Sequence, residues 1–289
     1  MKKHIGKTSN TGFKKQLRLL PGHLIVGIWC LFTLVMLFWI VAASLSTAPE
    51  IMRGKVLSFE SGLHFENYVR AWSANSISVF FLNSLLYAIC AMVGSILISA
   101  PAAYVLARFV FKGNLVIKSS FITTMSIPQI MIVLPLFSMA TRTHLSGSKI
   151  ILILLYIGMQ IPYTTTFLLA SFSNLSRVYE EAAAIDGCPP MKTFWKIMLP
   201  LAQPGIVTVG IFNFMNVWNE YFLSLIFASS EKNMSVGPGL KSVLTSMQYT
   251  GDWGGLFAAV VIVFLPTLLL FILLSKTIIG GITNGGVKG

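Results

Sequence analysis

Long apolar stretches, separated by short segments that hold most of the polar residues, dominate the pattern along this chain. A helix needs about 20 mostly apolar residues to cross roughly 30 Å of hydrocarbon. Stretches that satisfy this condition run approximately over residues 24–45, 78–107, 115–140, 149–172, 201–228 and 256–279. The pattern predicts an all-α, polytopic membrane protein with six transmembrane helices.

Two of these stretches need a closer look. The third is interrupted by Pro128, Gln129 and Pro135, which a membrane helix tolerates where neighbouring helices supply partners for the freed backbone groups. The first follows basic residues and ends at Ser46-Thr47-Ala48, so it has some features of a cleaved signal peptide. Its apolar core is about 22 residues long, against about 7–15 for a signal peptide. We therefore expect a retained first span.

Composition and charge agree with a membrane protein. Of the 289 residues, 55% are hydrophobic and only 10% are charged, whereas soluble domains have about 25% charged residues. The net charge is +12, but the basic residues lie at the ends of the apolar stretches, so a nucleic-acid partner is not expected. A cytoplasmic N-terminus assigns most of the 21 Lys and Arg residues to the inside. Both termini and the segment 173–200 are then predicted to be cytoplasmic.

The chain offers little chemistry for catalysis. Its three cysteines and four histidines are scattered, so neither a metal site nor a catalytic residue is expected. The C-terminal run from Gly281 to Lys288 resembles a P-loop only superficially, because Val287 occupies the position of the required lysine. The sequence therefore predicts a protein that is not an enzyme and binds no cofactor itself.

Segment 173–200 is the most informative part of the chain. The spacing of Val178, Ala182 and Ile185 predicts a first helix over 177–186 with one apolar face. Gly187 suits the left-handed end of that helix, and a pair of prolines suits the start of a second one. The apolar residues of the second helix are Met191, Phe194, Trp195 and Met198. Such a helix–turn–helix either docks onto another protein or lies on the inner membrane surface.

The residues of this segment also follow a longer pattern. Glu181-Ala182-Ala183, Gly187, and Ile197 followed by Leu199-Pro200 match E-A-A-x3-G-x9-I-x-L-P without a departure. This resembles the EAA loop of binding-protein-dependent ABC importers. In that family the loop couples the membrane subunit to a separate cytoplasmic ATPase. The resemblance implies that the coupling residues are Glu180, Glu181, Ala182, Ala183, Asp186 and Gly187.

Other segments resemble the same family. Asn83-Ser84, Ala102-Ala103-Tyr104 and Ala107-Arg108-Phe109 look like the opening of the permease core. Trp218-Asn219-Glu220 and the tail 285–289 are similar to carbohydrate permeases of the maltose type. The resemblance implies the type I, MetI-like permease fold. It divides the chain into residues 1–71 (basic tail, first span and outer loop), the core 72–280 with coupling loop 173–200, and the tail 281–289.

The resemblance also implies a function and a set of partners. The expected function is import of a sugar across the bacterial cytoplasmic membrane. An oligosaccharide is the preferred cargo, and monosaccharide derivatives stay open. The expected partners are a second homologous permease subunit, two cytoplasmic ATPase subunits that bind ATP and Mg²⁺, an extracellular sugar-binding protein, and the lipid bilayer.

Polar residues within the apolar stretches are candidates for the substrate path. Glu220 is the only acidic residue well inside a predicted span, and such residues usually mark a pathway or a buried partner. Asn213, Asn216 and Glu220 follow one helix face, and Asn219 flanks it. Gln129 and Tyr163 are weaker candidates. These side chains either contact sugar hydroxyls or form hydrogen bonds between helices, and the sequence leaves both interpretations open.

An ion-coupled secondary transporter is the alternative function. Such proteins often contain repeated halves and ionisable residues near the middle of the membrane. Here Glu220 stands alone and no internal repeat is evident, so the sequence favours the ATP-driven importer.

Overall fold

The computed structural model describes residues 10–73 and 76–286, and every regular element in these ranges is helical. The α-helices are α1 Asn10–Ser44, α2 Ala48–Met52, α3 Glu66–Ser73, α4 Ile77–Arg108, α5 Asn114–Met125, α6 Gln129–Arg142, α7 Lys149–Ser173, α8 Val178–Ile185, α9 Pro190–Thr193, α10 Leu199–Leu201, α11 Gln203–Trp218, α12 Phe222–Phe227, α13 Val236–Thr250 and α14 Trp253–Gly286. A π-helix covers Phe194–Met198, and a 3-10 helix covers Glu231–Asn233. Of the predicted basic tail, residues 1–9 lie outside the described residues and the rest begins α1. Of the predicted C-terminal tail 281–289, residues 281–286 belong to α14 and residues 287–289 lie outside the described residues.

Four of the described helices are long and apolar enough to cross a membrane: Leu19–Ser44 within α1, the whole of α4, the whole of α7, and Trp253–Ser275 within α14. Two bent pairs supply the remaining spans. Helix α5 meets α6 at 97°, and Pro190–Leu201 meets α11 at 73°. With each bent pair counted as one span, the described chain has six, which confirms the predicted all-α polytopic fold.

Both bends occur where proline limits helix continuation. Pro128 immediately precedes α6, and Pro204 is in the first turn of α11. Proline has no N–H to donate, and its ring clashes with the preceding turn of a continuous helix. The sequence indicated the interruption at Pro128, but it did not indicate a break within the fifth predicted stretch, 201–228. There α11 ends at Trp218, and a break separates it from α12.

Helix α4 is the centre of the bundle and packs against α7 and α11, while α14 packs against α1 and α3. Small buried residues of α4, including Ala91, Ser95 and Ala103, allow the neighbouring helices to approach closely. Tyr104, near the end of α4, belongs to an apolar cluster with residues of segment 173–202. We call this end of the bundle the loop end. Phe80 near the start of α4 belongs to a cluster with α13 and α14, which we call the far end.

The outer surface of the spans is apolar. In α1, large side chains such as Ile25, Ile28 and Leu34 are each more than 60% exposed. A soluble monomer rarely exposes an apolar surface of that extent. The arrangement therefore suits a protein whose spans are solvated by lipid or by other membrane helices.

Candidate functional site

The loop between α7 and α11 forms the predicted helix–turn–helix. Helix α8 lies within one residue of the predicted boundaries at both ends. Gly187 has a φ of +70°, a conformation that favours glycine. The amide of Cys188 donates to the carbonyl of Ala183 at 2.8 Å, and that of Gly187 to the carbonyl of Ala184 at 3.0 Å. This bonding closes α8 in the manner of a Schellman turn and directs the chain into α9.

The second half of the loop is held by aromatic packing. Phe194 is 2% exposed, and its ring centroid lies 5.1 Å from that of Tyr104 and 6.2 Å from that of Phe172. Sequence periodicity placed Phe194 and Met198 on one face with Met191 and Trp195, but the latter two are exposed. The π-helix explains the difference, because its i→i+5 bonding changes the angular spacing of the residues. The apolar face is therefore divided between the bundle and the surface.

An ion pair connects α8 to the end of α4. The Nη2 group of Arg108 donates to the Leu175 carbonyl at 2.7 Å, and its Nε lies 3.4 Å from Oε2 of Glu180. The two side chains are only 6% and 21% exposed, so water screens the pair less than it would on the surface. Sequence reasoning missed this pair because its partners lie on helices far apart along the chain. The only signal was Arg108 itself, a charged residue at the end of an apolar stretch.

The predicted coupling residues divide into two groups. Ala183 is buried and Glu180 is partly buried, so both face the bundle. The outward-facing group consists of Glu181, Ala182, Asp186 and Gly187. Val178 and Ile185 accompany this group and are 63% and 87% exposed. We call these six outward-facing residues the α8 surface.

The chemistry of the α8 surface favours a protein partner over the membrane. Helices that lie on a membrane surface usually have Lys and Arg on their polar face, which attract anionic lipids. The polar residues of the α8 surface are instead the acidic Glu181 and Asp186. Exposed apolar side chains next to small residues and acidic groups suit a partner with a basic rim around an apolar pocket.

A cavity of about 320 Å³ lies between α8 and the end of α4. Its lining includes Tyr104, Arg108, Arg177, Glu180, Glu181 and Thr193. Helix α8 is thus joined to α4 across open space by the Arg108–Glu180 pair. The pair is therefore a direct contact between α8 and the second span.

The candidate substrate-path residues are not alike in their surroundings. Asn213 is fully buried, and its Nδ2 donates to Ser95 Oγ at 2.9 Å and to Thr164 Oγ1 at 2.8 Å. These bonds tie α11 to α4 and α7, which supports the interhelical interpretation for Asn213. Asn216 and Asn219 are exposed on α11 and at its end.

Glu220 lies in the break between α11 and α12, and not within a helix as the sequence suggested. Its carboxylate accepts hydrogen bonds from the hydroxyl of Tyr156 at 2.8 Å and from the amides of Leu223 at 2.6 Å and Ser224 at 3.2 Å. Three donors from its own chain therefore satisfy this carboxylate. The bonds to the amides stabilise the start of α12.

The two weaker candidates are not grouped with Glu220. Gln129 is the partly buried first residue of α6. Tyr163 packs against the loop-end cluster, with its ring 6.1 Å from that of Phe167. Within residues 10–73 and 76–286, no three His, Cys, Asp or Glu side chains come together as a metal site would require.

Comparison with known proteins decides the family. Residues 95–278 match the family described as binding-protein-dependent transport system inner membrane component. The chain belongs to this family. The matched region contains α7, the whole loop 173–200 and α11, so the segment whose motif suggested the family lies well within it.

Individual relatives agree with this assignment. The chain is 32% identical to the diacetylchitobiose uptake system permease protein NgcG of Streptomyces coelicolor, over 91% of this chain and 87% of that protein. It is 29% identical to the trehalose/maltose transport system permease protein MalG of Thermococcus litoralis, over 95% of this chain and 98% of that protein. A crystal structure of a bacterial ABC transporter involved in import of the acidic polysaccharide alginate has a chain that matches at a TM-score of 0.79 and 20% identity, covering 95% of this chain and 99% of that one. The last comparison shows the fold alone.

Family membership confirms several of the expectations from the sequence. The protein is an ABC transporter permease of the bacterial cytoplasmic membrane with an all-α, MetI-like fold, and the family comprises transport components rather than enzymes. The domain boundaries, the roles of individual residues and the binding of ATP and Mg²⁺ by partners stay predictions.

Proposed function

We propose that this chain is a membrane-spanning subunit of an ATP-driven importer that translocates an oligosaccharide, and that loop 173–200 couples it to separate ATPase subunits. The α8 surface carries the proposal. Its residues are exposed and include both acidic and apolar side chains. The helix that carries them is joined to α4 by the largely buried Arg108–Glu180 ion pair. The relatives named for diacetylchitobiose, trehalose and maltose support a carbohydrate of about two sugar units as the cargo.

The contacts of the loop suggest how force passes from the ATPase to the spans. A partner that binds the α8 surface and moves would pull on Glu180 and Leu175, which both contact Arg108 at the end of α4. Phe194 would pass the same motion to Tyr104 on α4 and Phe172 on α7 through ring contacts. Coupling between distant sites is carried by chains of packed side chains and charged networks of this kind.

The proposal needs partners that supply what this chain lacks. ATP and Mg²⁺ would be bound by two cytoplasmic ATPase subunits, and a second homologous permease subunit would complete the pathway. An extracellular sugar-binding protein would deliver the cargo. Both chain termini would be cytoplasmic. The exposed Asn216 and Asn219 are the best placed of the predicted path residues to contact a sugar, with Gln129 as a further candidate.

Accessibility of α8 tests the proposal. In a background with Cys30, Cys90 and Cys188 replaced by serine, we expect Asp186→Cys to react with a membrane-impermeant maleimide only after the cells are permeabilised. The control is Met52→Cys, which is 77% exposed beyond the first span and should react in intact cells. Reaction of Asp186→Cys in intact cells would contradict the proposal, because a cytoplasmic ATPase could not reach α8.

Transport assays with the complete importer test the remaining part. We expect uptake of labelled disaccharide into proteoliposomes only with ATP on the ATPase side, and Ala182→Cys to cross-link to the ATPase. Uptake that needs an ion gradient and proceeds without ATP would instead support the secondary-transporter alternative.

A further inference from the structure

Helix α3 lies at the far end, where three spans end. Asn67 donates hydrogen bonds through Nδ2 to the carbonyls of Ser44 at 2.9 Å and Ser46 at 3.0 Å, at the end of α1. Arg70 pairs with Asp252 at 3.0 Å, immediately before α14 begins. The start of α4 follows α3 closely along the chain. Because these helix ends mark where the spans leave the hydrocarbon, α3 lies at the level of the membrane surface.

The side chains of α3 form three distinct faces. The face toward the bundle is buried and consists of Asn67 and Ala71. A second face is exposed and charged, and it consists of Glu66 and Arg70. The third face is apolar and follows the i, i+4, i+7 spacing of one helix side. It consists of Val69 (67% exposed), Trp72 (41% exposed) and Phe65 (63% exposed), the residue immediately before α3.

The surroundings of the apolar face indicate lipid rather than a soluble protein. On one side it borders the charged face, but on the other it continues into the membrane-spanning surface. The Trp72 ring lies 5.7 Å from that of Phe81 on α4, and the neighbouring Leu82 is 59% exposed. A patch that binds a soluble protein has a polar rim around it. A helix on a membrane surface instead has hydrocarbon on one side and water on the other.

The type of residue agrees with this location. Tryptophan is enriched where membrane meets water, because its ring is apolar and its N–H can still be hydrated. Apolar side chains such as phenylalanine and valine insert between the lipid headgroups and the acyl chains, while charged groups on the adjacent face remain in water.

We propose that α3 is an interfacial helix that lies on the bilayer surface at the far end, with Phe65, Val69 and Trp72 inserted among the lipids. Glu66 and Arg70 stay in water. Such a helix fixes the segment between the first two spans to the bilayer and, through Asn67 and Arg70, holds the ends of α1 and α14 at a constant depth. The inference depends on the membrane location of the chain and not on its coupling to an ATPase.

Spin labels at two positions of α3 test the inference directly. Val69→Cys and the matched control Glu66→Cys are each made in the background without native cysteines, assembled with the partner subunits, and reconstituted in vesicles of phosphatidylethanolamine and phosphatidylglycerol. The relaxation of each label is measured with oxygen, which concentrates in lipid, and with a nickel chelate, which stays in water. Phe65→Cys is a second test position if Val69→Cys does not assemble.

We expect the ratio of oxygen to nickel accessibility to be several-fold higher at position 69 than at position 66. Equal, high nickel accessibility at both positions would overturn the inference, because the apolar face would then contact water. Low accessibility to both reagents at position 69 would also overturn it, and would show that a protein subunit covers the face. If addition of the sugar-binding protein lowers the accessibility of position 69 to both reagents, that protein covers the apolar face, and the inference is likewise overturned.

Discussion

The two ends of α4 are held by different kinds of contact. At the loop end, Tyr104 packs against aromatic rings, and one ion pair of Arg108 reaches α8. At the far end, hydrogen bonds to backbone groups dominate. Buried Asn83 donates to the carbonyls of Lys232 at 2.8 Å and Met234 at 2.9 Å, and it accepts from Lys149 Nζ at 2.6 Å.

Neighbouring side chains extend the far-end bonds. Ser84 Oγ accepts from the amide of Val236 at 2.8 Å, and the hydroxyl of Tyr87 donates to the carbonyl of Asn233 at 2.8 Å. Hydrogen bonds are directional, so a buried network of this kind specifies one arrangement of the connection between α12 and α13. The loop end has instead ring contacts, the Arg108–Glu180 ion pair and one hydrogen bond from Arg108 to the Leu175 carbonyl. We therefore expect the far end to contribute most to stability, and the coupling that we propose places force transfer at the loop end.

Charge reversal on the α8 surface should separate the two ends most clearly. We expect Glu181→Lys to reduce ATP-driven uptake to background, because a basic partner would be repelled. Since Glu181 is exposed, the free energy of unfolding should change by no more than about 0.5 kcal/mol. Uptake into proteoliposomes and thermal unfolding of the purified complex measure the two effects. Glu181→Gln is the matched control and should retain part of the uptake, and normal uptake by Glu181→Lys would refute the docking role.

Removal of the Asn83 side chain should give the opposite result. In Asn83→Ala, two carbonyls and the Lys149 ammonium lose their partner, and each buried group left unsatisfied costs about 1–3 kcal/mol. We expect a clearly lower unfolding temperature, with normal binding of the ATPase at temperatures below unfolding. Asn219→Ala, which loses one exposed bond to the Met215 carbonyl, should change stability little. Equal unfolding temperatures for the two variants would contradict the structural role of the far end.

The Arg108–Glu180 pair should affect coupling rather than binding. Glu180→Gln leaves the α8 surface intact, so the ATPase should still bind. The Arg108 Nε faces the Glu180 carboxylate at 3.4 Å and has no hydrogen-bond partner, so loss of this charge leaves the buried guanidinium without its ion pair. We expect the sugar transported per ATP hydrolysed to fall. The ratio of uptake to hydrolysis in proteoliposomes measures this effect. An unchanged ratio together with reduced ATPase binding would place Glu180 on the docking surface instead.

The turn after α8 should be sensitive to backbone conformation alone. A β-carbon at Gly187 would meet no atom within 4 Å, so crowding is not a factor. The left-handed conformation costs an ordinary residue about 1–2 kcal/mol, which asparagine largely avoids. We therefore expect Gly187→Val to reduce uptake several-fold more than Gly187→Asn. The rate of hydrogen exchange at the Cys188 amide, which bonds to the Ala183 carbonyl, should also rise more in Gly187→Val than in Gly187→Asn. Equal effects of the two substitutions would argue against a role for backbone conformation.

The smallest expected effect concerns pH at the far end. Hydrogen bonds from the backbone amides of Thr47 and Ser61, and from both hydroxyls, lower the pKa of Glu50 from 4.5 to about 2. A carboxyl with a lowered pKa stabilises the fold fully above pH 4.5, and this contribution is lost as the pH falls toward about 2. We expect the stability difference between the wild type and Glu50→Gln to shrink over that range. A difference that does not vary with pH would show that Glu50 acts without its charge.

The sequence by itself determined the features that depend on local spacing. Apolar stretches of membrane length predicted the polytopic helical fold, because hydrocarbon thickness sets the length of a span. The boundaries of α8 and the turn at Gly187 also followed from residues within a few positions of one another. The motif of loop 173–200 indicated the family that the comparison confirmed.

Only the tertiary structure decided which distant residues meet. It set the angles of the two bends, paired Arg108 with Glu180, joined Asn213 to two other helices and placed Glu220 at the start of α12. Local hydropathy contains no information about such contacts, because they depend on how several helices pack. The division of the coupling residues between a buried and an exposed side has the same origin, since it depends on where α8 rests against the end of α4.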